Sequence, residues 1–233
     1  MEYIEKNNQE QESFLVNLNP EPIGVFKLPL EKHLKYKQII HNIFMEAPDD
    51  LRQKFPAEPY TNHICNSSFQ NVFNSFSQLK ELESDIQKFL IKYINVIGFE
   101  ADEFIINSAW LNCADKGSNL HFHHHGNSYI SANYFVDFNP KTHSQLSFLN
   151  DRELSGKYPG FPYFEIKKSI KNTIYNTSPL RINCVEGQIL FWRSHNIHGY
   201  SESNKADGRI TLSLNSIPKV LDNGKYKMVL SEK

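Results

Sequence analysis

The sequence predicts a mainly β protein of the α+β class. Residues 101–233 form a β-sandwich or barrel core, and residues 1–100 supply a lead-in, a short strand and helices packed on one sheet, together one structural domain. Three observations carry this. Apolar residues recur at helical spacing only before residue 100. From residue 102 their period changes to two. The β-type runs beyond that point are short and separated by turn-rich segments. A length of 233 residues suits one such domain, and 17 Phe and 11 Tyr give it material for a sizeable core.

Residues 1–20 read as a solvated, polar lead-in. EPIGVFKLPL (21–30) is a short strand closed by Pro29. Residues 30–47 carry Leu34, Ile39, Ile40, Ile43 and Phe44 at helical spacing. Residues 47–63, broken by prolines, read as loop. Leu79, Leu82, Ile86, Phe89, Leu90 and Tyr93 then describe one long amphipathic helix from Ser75 to Phe99, ended near Gly98. EFIINSAWLNCA, SYISANYFVDF, QLSFL, LRINCV, GQILFW and RITLSLN are the strands, divided by DKGSN, NPKTHS, residues 150–163 and SNKADG.

Composition narrows the function. A net charge of −1 and a pI near 6.8 argue against a general grip on nucleic acid. No run of about 18 apolar residues is present, so no membrane span is expected. The first residues, MEYIEKNNQEQESF, are unlike a signal peptide. Cys65, Cys113 and Cys184 are scattered without a CxxC pair, which points to a reducing, cytoplasmic setting and away from a zinc ribbon.

The chemistry concentrates in NLHFHHHGNSYISANYFV (119–136), where four of the five residues 121–125 are histidine. In a strand, residues i and i+2 share a face. His123 and His125 therefore point one way, with Phe122 and His124 on the other side. His198 comes after the strand GQILFW. Two imidazoles from one strand edge and one from a remote strand can close on one face of a non-haem iron, leaving positions open. His121 and His195 permit other triples. A closed structural zinc site wants thiolates, and no cysteine is placed for it.

Arg209 opens a strand of unbroken alternation. Arg209, Thr211, Ser213 and Asn215 lie on one face; Ile210, Leu212 and Leu214 lie on the other. Such a polar row either faces solvent or lines a wet pocket. In a pocket, the guanidinium would grip a carboxylate as a two-pronged fork, with a hydroxyl two residues on.

Taken in order, these motifs resemble the 2-oxoglutarate- and iron(II)-dependent oxygenases of bacteria and phages. The family pattern reads H-x-H-x-x-S-x-x-S-G-x-x-Y, then G-x-x-x-x-F-x-S-x-x-x-x-H, then R-I-S-x-S-F-N. Here the segments run from His123 to Phe135, from Gly187 through Ser194 to His198, and from Arg209 to Asn215, and Trp110-Leu111-Asn112 before them is also similar. The resemblance covers about residues 105–217. Ala132 replaces a glycine, and Phe135, with Tyr134 beside it, stands where a tyrosine is usual. His125 occupies the position that most of the wider superfamily gives to a carboxylate. Asp115 and Asp137 are remote substitutes that spacing does not commend, so three histidines, or two with an open position, remain for the metal.

The resemblance implies a double-stranded β-helix, or cupin-like jelly roll, as the catalytic core. It implies Fe(II) at His123, His125 and His198, with 2-oxoglutarate and O2 as cosubstrates. Arg209 and Thr211 would hold the cosubstrate's distal carboxylate, with Asn112, Ser131 and Asn133 as further contacts. A three-His iron(II) site carries about +2 against about +1 with a carboxylate, and a dianionic cosubstrate balances it. His125 fills the position that a halogenase leaves vacant for chloride, which discounts halogenation. The implied reaction is hydroxylation coupled to decarboxylation of 2-oxoglutarate, on a small-molecule or peptide substrate. Arg152 and the aromatic loop KYPGFPYF (157–164) are placed at the mouth, and the long N-terminal helix can pack on a sheet or on the second subunit of a homodimer. Two alternatives remain: a three-His cupin-like metal enzyme that does not use 2-oxoglutarate, and a non-catalytic jelly-roll binding protein.

Overall fold

In the computed structural model, which describes residues 21–67, 70–149 and 179–231, the first part of the chain runs β1 (Gly24–Lys27), α1 (Leu30–Glu46), β2 (Arg52–Gln53), β3 (Thr61–Ile64), α2 (Val72–Ser75) and α3 (Lys80–Val96). The remaining strands are β4 (Phe104–Ala114), β5 (Ile130–Asp137), β6 (Leu146–Phe148), β7 (Leu180–Arg181), β8 (Gln188–Arg193), β9 (His198–Tyr200), β10 (Arg209–Pro218), β11 (Val220–Asp222) and β12 (Lys227–Val229). Arg152 and the loop 157–164 lie outside the described residues.

The helices differ from their sequence expectation in detail. Pro29, with φ fixed by its ring, starts α1, and the buried stripe is His33, Tyr36, Ile40 and Ile43. Leu34, expected on that stripe, is 54% exposed. A tyrosine took the inward position because its hydroxyl finds the Asp85 carboxylate, 2.8 Å away. The single helix expected from Ser75 is split. Asn71 caps α2 by accepting from the Phe73 backbone N–H at 3.0 Å, and Phe76 is extended before a short 3₁₀ turn, Ser77–Leu79. The far end is as expected: Gly98 adopts φ +89°, and the Phe99 N–H returns to the Ile94 carbonyl at 3.0 Å.

Seven strands form the main sheet in the order β1-β8-β5-β10-β4-β3-β2, all neighbours antiparallel. A smaller sheet, β7-β6-β9, faces it, and β11 and β12 form a separate hairpin. This is the two-sheeted jelly roll with helices on one outer face. Period two assigns the layers. Ile210, Leu212 and Leu214 of β10 join Tyr36, Ile40, Leu82 and Ile86 in the core between sheet and helices. Phe135, Phe138, Leu146, Phe148, Leu190 and Trp192 form a second core between the sheets. The polar row of β10 also faces inward: Arg209, Thr211 and Asn215 are buried, so the solvated-face alternative is excluded.

Two further corrections concern the strands. Residues 47–63, read as loop, contain β2 and begin β3, which adds His63 beside Asn112 of β4. Polar residues hid β3 from a pattern search because Thr61 and His63 are buried against polar partners rather than apolar ones. A register shift between Ile210 and Thr211 breaks the alternation of β5, and Asp137 turns to α1, where Lys37 and His41 lie 3.1 and 3.2 Å from its carboxylate. Among the described residues no helix is long and apolar enough to cross a membrane.

Candidate metal and cosubstrate site

The three histidines meet. Residues His123 and His198 form an isolated antiparallel bridge, each N–H donating to the other's carbonyl at 2.9 Å. A pair opposed in this way sends both side chains to the same face. The His125 N–H donates to the Ser194 carbonyl at 3.0 Å, which extends the pairing by two residues and brings the third ring to that face. Ring centroids are 4.5, 5.0 and 5.2 Å apart, and one nitrogen from each ring lies within 4.8 Å of the others. The approach depends on Gly199, where a Cβ would meet the Leu120 carbonyl oxygen at 2.8 Å.

Hydrogen bonds set the tautomers. His123 Nδ1 lies 2.8 Å from the His121 carbonyl oxygen, and His198 Nδ1 lies 2.9 Å from the Asn196 carbonyl oxygen. A carbonyl only accepts, so both Nδ1 atoms carry the proton and both Nε2 lone pairs are free. His125 Nδ1 faces the Asn215 amide at 3.4 Å, and that amide also binds Ser131 and Ser108. Burial pushes His198 down to about 3 and His125 down to about 4, with the neighbouring imidazoles adding to the effect. Neutral imidazoles with free lone pairs are what a divalent metal requires.

The other candidates fall away. Exposed His121 contributes its carbonyl to this arrangement, and His195 is an exposed residue 3.2 Å from Glu21. Asp115 accepts from the Gly208 N–H, and Asp137 is engaged with α1. Among the described residues the cluster contains no carboxylate, so it is a three-His set.

Arg209 is fully buried. Its Nε donates to the Ser144 carbonyl at 3.3 Å, and the guanidinium stacks on Tyr200, Phe138 and Phe135 at 4.4, 5.6 and 5.8 Å. Among the described residues both terminal nitrogens lack a hydrogen-bond partner. Ring faces offset part of the cost of burying the charge, but an unpaired buried cation remains unfavourable by several kcal/mol. A carboxylate supplied from outside would satisfy both nitrogens at once. The chain therefore fits both groups: a metal at the histidines and a diacid's far end at Arg209.

A cavity of about 310 Å³ is lined by His123, His125 and His198 and by Ser131, Asn133 and Tyr200, the residue whose ring covers Arg209. Its floor is a polar network. Asn112 Nδ2 donates to Ser213 at 3.0 Å and to Thr211 at 3.4 Å, and the Ser213 hydroxyl donates to Asn133 Oδ1 at 3.0 Å. Ser131 belongs instead with Asn215 and Ser194 beside His125, at 2.8 Å from each. Sequence reasoning missed Tyr200 and Trp192. Tyr200 shares a strand face with His198, so period two carried past the histidine finds it. Trp192, whose ring packs edge-on to His198 at 4.8 Å, had no sequence signal beyond its place in a strand.

Residues 108–215 match a family model described as "Putative 2OG-Fe(II) oxygenase". No curated protein sequence matches. Among solved structures, HygX from Streptomyces hygroscopicus, with nickel, 2-oxoglutarate and hygromycin B bound, superposes with a TM-score of 0.53 at 12% identity, over 84% of this chain and 82% of that one. The epimerase SnoN, in complex with Fe3+, alpha ketoglutarate and nogalamycin RO, gives 0.57 at 9% identity, over 91% and 90%. A 2OG-Fe(II) oxygenase family oxidoreductase from Burkholderia pseudomallei gives 0.53 at 13% identity, over 83% and 84%. At these identities the structures establish the fold, the double-stranded β-helix. The motif-bearing segment and the fold thus agree: residues 108–215 match the 2OG-Fe(II) oxygenase model, and the chain around them has the fold of those enzymes.

Proposed function

We propose that this oxygenase is a hydroxylase whose iron(II) is held by His123, His125 and His198 and whose 2-oxoglutarate is anchored by Arg209. The observation that carries the reading is a cluster of neutral imidazoles sharing one interior with a buried guanidinium that has no carboxylate partner among the described residues. When bound, iron(II) and 2-oxoglutarate supply the activation of O2, with the cosubstrate converted to succinate and carbon dioxide. The rest is the work of the protein. His123 and His198 keep their Nε2 lone pairs aimed at one point because backbone carbonyls hold the opposite ring nitrogens. Arg209 forks the distal carboxylate, and Thr211, fixed through Asn112, offers a hydroxyl to it. Asn133 and Ser213 orient the diacid along the cavity floor, and Ser131 steadies Asn215 against His125. Trp192 and Leu146 line the cavity with apolar surface and limit water. Charge supports the pairing of sites: three neutral ligands leave a metal dication uncompensated, and a dianionic cosubstrate offsets it.

The substrate we infer is a small molecule or peptide, since the cavity is concave and partly apolar. Three free cysteines support a cytoplasmic setting.

Titration of 2-oxoglutarate into protein loaded with iron(II) without oxygen tests the reading. Binding is expected with the metal, and much weaker binding without it or in His198→Ala. Metal binding with no 2-oxoglutarate affinity would leave the three-His cupin-like enzyme in its place. Absence of metal binding would leave a jelly-roll binding protein.

A further inference from the structure

One part of the cavity wall is not used by the metal or by the diacid. Glu58 and Asn66, before and after β3, line it together with His63 of β3 itself. His63 is 2% exposed. Its Nδ1 lies 2.8 Å from Asn112 Oδ1. Asn112 commits its amide nitrogen to Ser213 and Thr211, so Oδ1 needs a donor, and the His63 Nδ1–H is that donor. Asn66 Nδ2 also lies 3.0 Å from Nδ1. A half-turn of that amide, which keeps its shape, presents Oδ1 to the same N–H. His63 Nε2 faces the Glu58 carboxylate, with Oε2 3.3 Å away, and no aligned hydrogen bond joins the two.

Glu58 is also the one fixed charge among the described residues that line the cavity, and Trp110 offers an aromatic face in the same wall. Cys65, between His63 and Asn66, adopts φ +61°, a left-handed conformation uncommon outside glycine, which turns Asn66 back toward His63.

We propose that Glu58, with His63 packed behind its carboxylate, binds a protonated amine of the prime substrate, so that the enzyme oxidises amine-bearing molecules. The ammonium donates to the Glu58 carboxylate, and the Trp110 ring in the same lining faces its remaining charge. This rests on the oxygenase reading above, because it takes the remainder of the cavity to hold the metal and 2-oxoglutarate.

The test uses full-length protein loaded with nickel(II), then calorimetric titration of 2-oxoglutarate and afterwards of three probes of one shape: benzylammonium, benzyl alcohol and benzoate. Benzylammonium is expected to bind at least about tenfold more tightly than either of the others. Glu58→Gln, checked for an unchanged melting temperature, is expected to erase the preference. The inference is overturned if no probe binds, if benzylammonium is not the tightest, or if its advantage survives Glu58→Gln. Failure of 2-oxoglutarate to bind in the first step sinks the oxygenase reading instead. The wild-type ranking decides the matter even if the variant does not fold.

Discussion

Two buried charges sit on opposite faces of the main sheet. On the helix side, Asp85 of α3 is 5% exposed, and its carboxylate accepts from Lys32 at 2.6 Å, Tyr36 at 2.8 Å and Lys88 at 3.2 Å. On the inner side, Arg209 is 0% exposed, with both terminal nitrogens unpartnered among the described residues. Folding satisfies the first charge completely and the second hardly at all. A fully paired buried charge fastens one element to another. An unpaired one is a standing cost that only a ligand removes, and that cost marks a binding site.

The contrast can be broken by exchanging the costs. Arg209→Met should lower 2-oxoglutarate affinity at least about 100-fold, since a charged, two-pronged contact is lost. The ligand-free melting temperature of the same variant should hold or rise, because an unpaired buried cation gives way to apolar volume. A large fall in melting temperature would mean that Arg209 is structural. Asp85→Asn should do the reverse. It should cost about 2 kcal/mol in a urea titration, by weakening charge-assisted bonds and unbalancing the Tyr36 hydroxyl, while 2-oxoglutarate affinity stays put.

Acid sharpens the comparison further. Burial works to raise the Asp85 carboxyl, but hydrogen bonds from Lys32, Tyr36 and Lys88 outweigh it and hold the group below its ordinary 3.8. A depressed carboxylate contributes stability that is present above its unfolded value and lost as pH falls through its folded one. Melting temperature should therefore drop below about pH 4 in the wild type. The slope should be shallower in Asp85→Asn; an identical slope would mean that other carboxylates govern acid unfolding. The smallest expected effect is at Thr211→Val, which removes one hydroxyl beside the guanidinium. It should weaken 2-oxoglutarate by roughly fivefold, about 1 kcal/mol, and leave stability within error.

How legible each region was depends on the same physics. The helix-side core could be read because burial against apolar partners leaves a periodic stripe, as in Leu82, Ile86 and Leu90. The inner face of β10 could be read because its alternation had no exception. His123 and His125 could be placed on one side because period two fixes a shared face, and strand pairing brings His198 to the same cluster. His63 could not be found, since it lies in a proline-broken stretch whose strand is held by polar contacts. Nor could Asp137 be placed, because a register shift of one residue reverses the face of every later residue in the strand.

By itself the sequence determined the class, the layers of β10 and the types of group the site would offer, because those depend on chain periodicity and side-chain chemistry. Tertiary structure alone decided that His121 and His195 stand outside the cluster, that Arg209 has no partner for its terminal nitrogens among the described residues, and that Glu58 and His63 face the same cavity. Those are statements about atoms far apart in the chain, and only the pairing of strands and the packing of sheets fix such distances.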